Sequence, residues 1–303
     1  MNKLTVNKKL LKLLAVGTVI AILIGFVTNS TIVAVLVAGL IWALHAFFTI
    51  VEVIAGPDFP FQVSKQLIST PCVYVKNKFK LPCVESFNQL NKYSLPFEGE
   101  WLVFNGGTCK KTSHSWGILP QRYAYDFVIT DADGFSYEGS GGNNDNYYCY
   151  GKNILAPSDG VVVKVCDMYP DNEIVRPGKV KAAVDDIRGN FVIIKHSAAE
   201  YSTLAHLQKG SISVKNGQMV KQGDVVARCG NSGYSTEPHL HFQVQNSKSF
   251  FFSAGLPIKF NDFYMRIHEN TDSKPPCSFE GLNSNFISKG FLVKPKGVLK
   301  SNS

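Results

Sequence analysis

Two nearly unbroken apolar stretches come first along the chain. Residues 13–27 carry no charged side chain, and residues 32–55 carry only His45 and Glu52 among apolar neighbours. A membrane-crossing helix needs about 20 predominantly apolar residues. The second stretch meets that length; the first is shorter and also fits a signal-peptide core behind Lys3, Lys8, Lys9 and Lys12. Only Thr28–Asn29–Ser30–Thr31 separates them. The expected arrangement of residues 1–55 is therefore a tight transmembrane hairpin, or one span with an interfacial helix. Residues 56–100, with scattered Pro and Lys, read as a juxtamembrane linker.

From Trp101 to Asp262 the pattern changes to short runs with a period of two, which is the signature of strands. "YAYDFVI" (123–129) puts Ala124, Asp126 and Val128 on one face. "APSDGVVVKV" (156–165) is a Pro and Asp-Gly turn opening a β-branched strand. "GNFVIIKH" (189–196) and "EYSTLAHL" (200–207) read as two more strands, and in the latter Ser202, Leu204 and His206 fall on one face, so that His206 is expected to look into a cleft rather than the core. "VKNGQMVKQGDVVARCGNSG" (214–233) reads as hairpin pieces punctuated by glycine. The Val-rich words near 156 and 221 resemble each other, which suggests a duplicated all-β unit. "GSGGNNDN" (139–146) reads as a flexible surface loop, and residues 263–303 as a polar, loosely packed tail. The fold class is thus mainly β, an antiparallel hairpin sandwich, preceded by N-terminal helices.

Within this pattern, Ser235–Val244, "STEPHLHFQV", places two imidazoles two residues apart. On a strand His239 and His241 project together while Leu240, Phe242 and Val244 form a core stripe. With Asp126, His206 and His114 they make a histidine–carboxylate set of the kind that binds zinc. The formal net charge is +8. That balance suits an anionic envelope polymer or membrane surface, and no arginine-rich or basic–aromatic cluster points to nucleic acid. None of the seven cysteines falls in a C-x-x-C pair, so thiolate zinc ligation is not expected. Disulfides fit an extracytoplasmic location, with Cys72–Cys83 the nearest local pair.

The words "AYDF", "APSDGVV", "STLAHL" and "GNSGYSTEPHLHFQV" resemble the signature blocks of the lysostaphin/LytM-like family of peptidoglycan zinc endopeptidases. The resemblance covers roughly residues 105–260 and implies a duplicated hairpin sheet with a groove over a zinc ion. It implies that His241 and Asp126 bind the metal and that His239 and His206 act as catalytic groups. Zinc with three protein ligands keeps one position open, lowers the pKa of water and polarises a carbonyl; neutral imidazoles beside it accept and return the proton. One block departs from the pattern. The family's first ligand is a histidine four residues before the aspartate, and here that position is Arg122, which is permanently cationic.

Two readings follow from this departure. In one, His114 is carried back to the metal by the Gly117/Pro120 turn, Arg122 meets a substrate carboxylate, and Asn231 also contacts substrate. In the other, the domain is a catalytically inactive binding or regulatory module at the cell wall. A membrane-linked adaptor with a lipoyl-like hairpin, suggested by "VKQGDVVA", lacks the modifiable lysine within its hairpin. The expected protein is therefore a membrane-anchored zinc endopeptidase with an extracytoplasmic domain over 101–262, acting on peptidoglycan peptides. Lysines ahead of the first apolar stretch favour a cytoplasmic N-terminus, and a two-span hairpin would then return the domain to the cytoplasm. An extracytoplasmic domain thus requires a single true span, or a charge bias that is overridden. His196 is assigned a structural role; His45 and His268 are assigned none.

Overall fold

The computed structural model describes residues 8–28, 30–55, 59–181, 186–268 and 285–297. The chain divides into two compact units, Met1–Ile68 and Ser69–Ser303.

The first unit holds α1 (Lys8–Thr28) and α2 (Thr31–Ala55). Ser30 caps α2, its hydroxyl accepting from the Val33 amide at 3.3 Å. Both expected apolar segments are thus helical. Among the described residues, however, no helix is long and apolar enough to cross a membrane. The third helix is α3 (Phe59–Lys76). It occupies part of the region expected to be linker.

The second unit is built on strands β1 (Trp101–Asn105), β2 (Tyr125–Val128), β3 (Asn153–Leu155), β4 (Gly160–Cys166), β5 (Glu173–Arg176), β6 (Lys179–Lys181) and β7 (Asn190–Lys195). They are followed by β8 (Tyr201–Leu207), β9 (Met219–Val220), β10 (Val225–Arg228), β11 (Leu240–Gln245), β12 (Phe263–Ile267) and β13 (Phe291–Pro295). Nine form one sheet in the order β12-β13-β1-β2-β11-β8-β7-β4-β9, with β3–β10 and β5–β6 as separate pairs. Every named pairing is antiparallel. The two similar words pack on each other: the Gly223 amide donates to the Ala156 carbonyl, and Lys221 and Gln222 bond the Asp159 carboxylate.

Alternation determines which face is buried. Leu240, Phe242 and Val244 of β11 join Phe127, Val192, Ile194 and Leu204 in the main core. Three segments depart from the sequence expectation. Residues 263–303 are not simply a loose tail, because β13 pairs with β1 and buries Phe291 and Val293 in the same core. The linker supplies Tyr93, Leu95 and Phe97 to that core, with the Phe97 ring 4.7 Å from Trp101. Apolar alternation is weak in both segments, and tertiary packing supplies their order. Part of the Gly-Asn loop is also fixed, since Asn143 and Asn146 form a reciprocal capping box around the turn Asn144–Asn146.

Candidate metal centre

The sheet register creates the centre. Asp126 of β2 is the direct cross-strand partner of His241 of β11, as Phe127 is of Leu240. Directly opposed residues share a face, so the carboxylate and the imidazole meet on the polar side of the stripe that buries Leu240 and Phe242. His241 Nδ1 lies 2.9 Å from Asp126 Oδ1, and both groups are almost fully buried.

His114 arrives from the β1–β2 connection. Its Nδ1 is 3.2 Å from Asp126 Oδ2, and its side chain is 38% exposed, which leaves the centre accessible from that side. The path of this connection depends on two glycines. At Gly106 (φ 122°) an added Cβ would lie 2.4 Å from Tyr125 Cδ1 and 2.8 Å from the Ala124 carbonyl oxygen. At Gly107 (φ 142°) it would lie 2.5 Å from Thr112 Oγ1. Without side chains here the backbone presses onto β2, and the Gly106 amide donates to the Thr112 carbonyl. The turn upstream of His114 therefore matters at least as much as the expected Gly117/Pro120 return.

One donor atom from each of His114, Asp126 and His241 lies within 4.8 Å of the others. Two imidazoles and a carboxylate, converging from one half-open side, form a donor set suited to zinc, with one position left for water or substrate. Asn105 Nδ2 donates to Asp126 Oδ2 at 3.1 Å and orients the carboxylate. Sequence reasoning missed Asn105; its position on β1, opposite Asp126, becomes visible only with the register.

His239 and His206 complete a cluster around these groups. His239 Nε2 is 3.7 Å from Asp126 Oδ1. Its ring centroid is 4.7 Å from that of His206, which is in turn 5.7 Å from His241. Strict alternation would send His206 with Leu204 into the apolar core. His206 instead has a left-handed backbone (φ 60°), which breaks the alternation. Such a conformation costs of order 1–3 kcal/mol and persists where the surroundings over-determine it.

The Gly230–Gly233 loop supplies those surroundings. The Ser232 carbonyl accepts from His206 Nδ1 at 2.8 Å, Ser232 Oγ donates to the Leu207 carbonyl at 2.8 Å, and the Gly230 amide donates to the His206 carbonyl. His239 Nδ1 lies 2.8 Å from the Glu237 carbonyl. In both rings Nδ1–H donates to a main-chain oxygen, so in the neutral form Nε2 carries the free lone pair.

The electrostatics follow from burial and proximity. Burial alone would raise the Asp126 carboxyl. The hydrogen bond from His241 and the fields of His239 and His114 outweigh it and hold the group well below the usual carboxylate range. Burial disfavours the His241 imidazolium, but Asp126 more than compensates and raises that group. Burial, reinforced by His239 and His241, drives His206 well below its ordinary value. Burial also lowers His114, against the pull of Asp126.

Three expected roles change. Arg122 is not on β2: it ends the turn Leu119–Gln121 with helical angles. Its Nε donates to the Trp116 carbonyl at 3.3 Å, and the guanidinium carbon sits 5.1 Å from the Trp116 ring centroid. It therefore does not share a strand face with Asp126. Asn231 is wholly buried, with its Nδ2 donating to Asn144 Oδ1 at 2.9 Å, so it ties two loops together and is withdrawn from direct substrate contact. Cys72 and Cys83 are free, whereas Cys109, close upstream of His114, is disulfide-bonded.

Comparison with known proteins adds the following. Residues 145–251 match the model of Peptidase family M23, a stretch that includes His206, His239 and His241 and begins after His114 and Asp126. The chain is 42% identical over 72 residues to the peptidoglycan DD-endopeptidase ShyB of Vibrio cholerae, covering 23% of this chain and 16% of that protein. It is 34% identical over 111 residues to the cell division protein DipM of Caulobacter vibrioides, covering 37% and 16% respectively. The chain thus spans about one sixth of the length of these curated relatives. Among solved structures, it is similar to the catalytic domain of lysostaphin from Staphylococcus simulans. That match has 20% identity and a TM-score of 0.29, covering 56% of this chain and 90% of that one.

Proposed function

We propose, from the match of residues 145–251 to the model of Peptidase family M23, that the protein is a zinc-dependent endopeptidase that hydrolyses peptide bonds in peptidoglycan. The observation that carries the reading is the convergence of His114, Asp126 and His241 donor atoms within 4.8 Å, beside two further imidazoles. His114, Asp126 and His241 would hold the metal, which supplies a Lewis acid for the scissile carbonyl and acidifies water.

The chain's own groups carry the rest. Each of His206 and His239 presents an Nε2 lone pair, because each Nδ1–H is engaged by a main-chain carbonyl. One takes the proton of the attacking water and passes it to the departing amine. The proton so gained makes the first ring an N–H donor to the oxyanion, while the other stays neutral and aligns the water by accepting from it at Nε2. With centroids 4.7 Å apart the two rings disfavour a double positive charge, which divides the roles between them. Arg122 holds Trp116 beside the His114 loop.

The disulfide at Cys109 supports an extracytoplasmic site of action. Exposed apolar side chains on α1 and α2, such as Phe26, Val27, Ile32 and Val35, support association of the N-terminal unit with a membrane. The test is incubation of the zinc-loaded chain with purified peptidoglycan, with released fragments identified by mass spectrometry. New amino termini within the peptides are expected, and none should appear with His241→Ala.

A second reading, a catalytically inactive wall-binding module, draws on Arg122 standing where the resembling family has its first ligand. Peptidoglycan binding without cleavage by the zinc-loaded parent would favour it.

A further inference from the structure

β11 carries a ladder of buried polar side chains behind the metal centre. His241, Gln243 and Gln245 occupy alternate positions on one face, with exposures of 3%, 1% and 0%. His241 Nε2 lies 2.9 Å from Gln243 Oε1. Gln243 Nε2 donates to Gln245 Oε1 at 2.6 Å, and Gln245 Nε2 donates to the Ser247 carbonyl at 2.7 Å. Thr203 Oγ1 also donates to Gln245 Oε1, at 3.3 Å.

The direction of this ladder is forced from its far end. A main-chain carbonyl only accepts, so Gln245 must turn its NH₂ to Ser247 and its oxygen to Gln243. Gln243 must then donate to Gln245 and turn its own oxygen to His241. Flipping either amide sets oxygen against oxygen in a buried site, which costs about 1–3 kcal/mol per unsatisfied group.

We propose that Gln243, oriented by Gln245, is a positioning residue that accepts from Nε2–H of His241 and so leaves Nδ1, which donates to Asp126 in the metal-free site, as the nitrogen that ligates the metal. The proposal rests on the reading of His241 as a metal ligand. It gives a reason for two glutamines in the interior of a sheet, where an apolar residue would pack at lower cost. It also locates the tautomer control outside the ligand set, as outer hydrogen-bond partners of ligating histidines do.

The experiment uses the full chain. Long-range imidazole ¹⁵N–¹H spectra are recorded on zinc-loaded protein, where the metal takes the place of the Nδ1 proton shared with Asp126. Zinc affinity is measured by competition with a chromophoric chelator. The parent should show His241 ligated through Nδ1 with its proton on Nε2. Gln243→Leu should lose that preference and weaken zinc binding by about 10–100-fold. Gln243→Glu keeps an acceptor toward Nε2–H and should retain Nδ1 ligation. Gln245→Leu frees the Gln243 amide to flip and should weaken the preference partially.

A zinc-loaded parent ligated through Nε2 overturns the proposal, as does a Gln243→Leu protein with unchanged Nδ1 ligation and less than threefold loss of zinc affinity. If Gln243→Leu does not fold, loss of Nδ1 ligation in Gln243→Glu overturns it, and its retention supports it. A parent that binds no zinc overturns the metal reading on which the proposal rests, and the proposal with it.

Discussion

Gly106 is the position where the backbone argument for the metal centre is easiest to test. Replacing it with alanine has two separable costs. The first is conformational: φ is 122°, a region that an L side chain rarely adopts, at a cost of about 1–3 kcal/mol. The second is steric: the added Cβ would meet Tyr125 Cδ1 at 2.4 Å, the Ala124 carbonyl oxygen at 2.8 Å and Tyr125 Cα at 2.9 Å. Two of these atoms belong to the backbone entering β2, so a side-chain rotation cannot relieve the overlap, and overpacking of this kind costs about 1–3 kcal/mol. The sum is about 2–6 kcal/mol, a large part of the roughly 5–15 kcal/mol that stabilises a typical domain. Gly223→Ala is the control, since Gly223 has φ 89° with no atom within 4 Å of the added Cβ and carries the conformational cost alone. Chemical denaturation followed by tryptophan fluorescence gives both values. Gly106→Ala should exceed the control by at least about 1 kcal/mol, the lower end of the overpacking range. It should also weaken zinc binding, because the displaced loop carries His114. Equal destabilisation by the two variants would refute the steric argument.

The other expectations concern the site and its acid limb. His114→Ala removes one of three protein donors. If about 10–16 kcal/mol of structural zinc binding is shared among four donors, the loss is roughly 3 kcal/mol, or about a hundredfold in affinity, read by chelator competition; unchanged affinity would place the third ligand elsewhere. His206→Ala and His239→Ala should each keep zinc within a few-fold and lose nearly all hydrolysis, about 10²–10⁴-fold for a general acid or base; loss of zinc in His239→Ala with retention in His241→Ala would reverse the assignment of that pair. His196 is half-buried and bonded to the Asp159 carbonyl and Ser202 Oγ, and desolvation lowers its pKa from 6.5. Its contribution to stability is complete above 6.5 and is lost as the pH falls from there toward the lower folded value. His196→Gln should flatten the acid limb of the stability–pH curve, and an unchanged slope would remove His196 as a contributor.

Strand content between residues 101 and 262 was readable because alternation survives in it. Leu240, Phe242 and Val244 have no other period to satisfy, and the same is true of Val192 and Ile194. Strand order was not readable. β13 lies beside β1 although about 190 residues separate them in sequence, and its run Phe291–Pro295 is too short to show a period. Nor did composition reveal that Phe97 stacks on Trp101 and edges onto Phe127. These aromatics sit among prolines and lysines, and only packing makes them core.

The centre divides along a similar line. The pairing of His239 and His241 with Asp126 was legible, because parity is a local property and the cross-strand partner of His241 is the one carboxylate in an otherwise apolar strand. His206 is the instructive contrast. Its recruitment to the cluster was expected for a reason that the backbone overturns, since shared parity with Leu204 points into the core. The ring reaches His239 because a left-handed residue breaks the strand at the place where the Ser232 carbonyl holds Nδ1. A local rule therefore fails where the site needs a side chain on the other face, and the glycines of "GNSG" are what permit the exception. At Gly233 (φ 81°) an added Cβ would lie 2.3 Å from the Gly189 amide nitrogen, so this loop can approach β7 only without side chains. The glycine pair that seats His114 and the glycine pair that seats His206 thus solve one problem twice. Each lets a loop close to within backbone contact of the sheet, and each delivers an imidazole that strand alternation by itself does not supply.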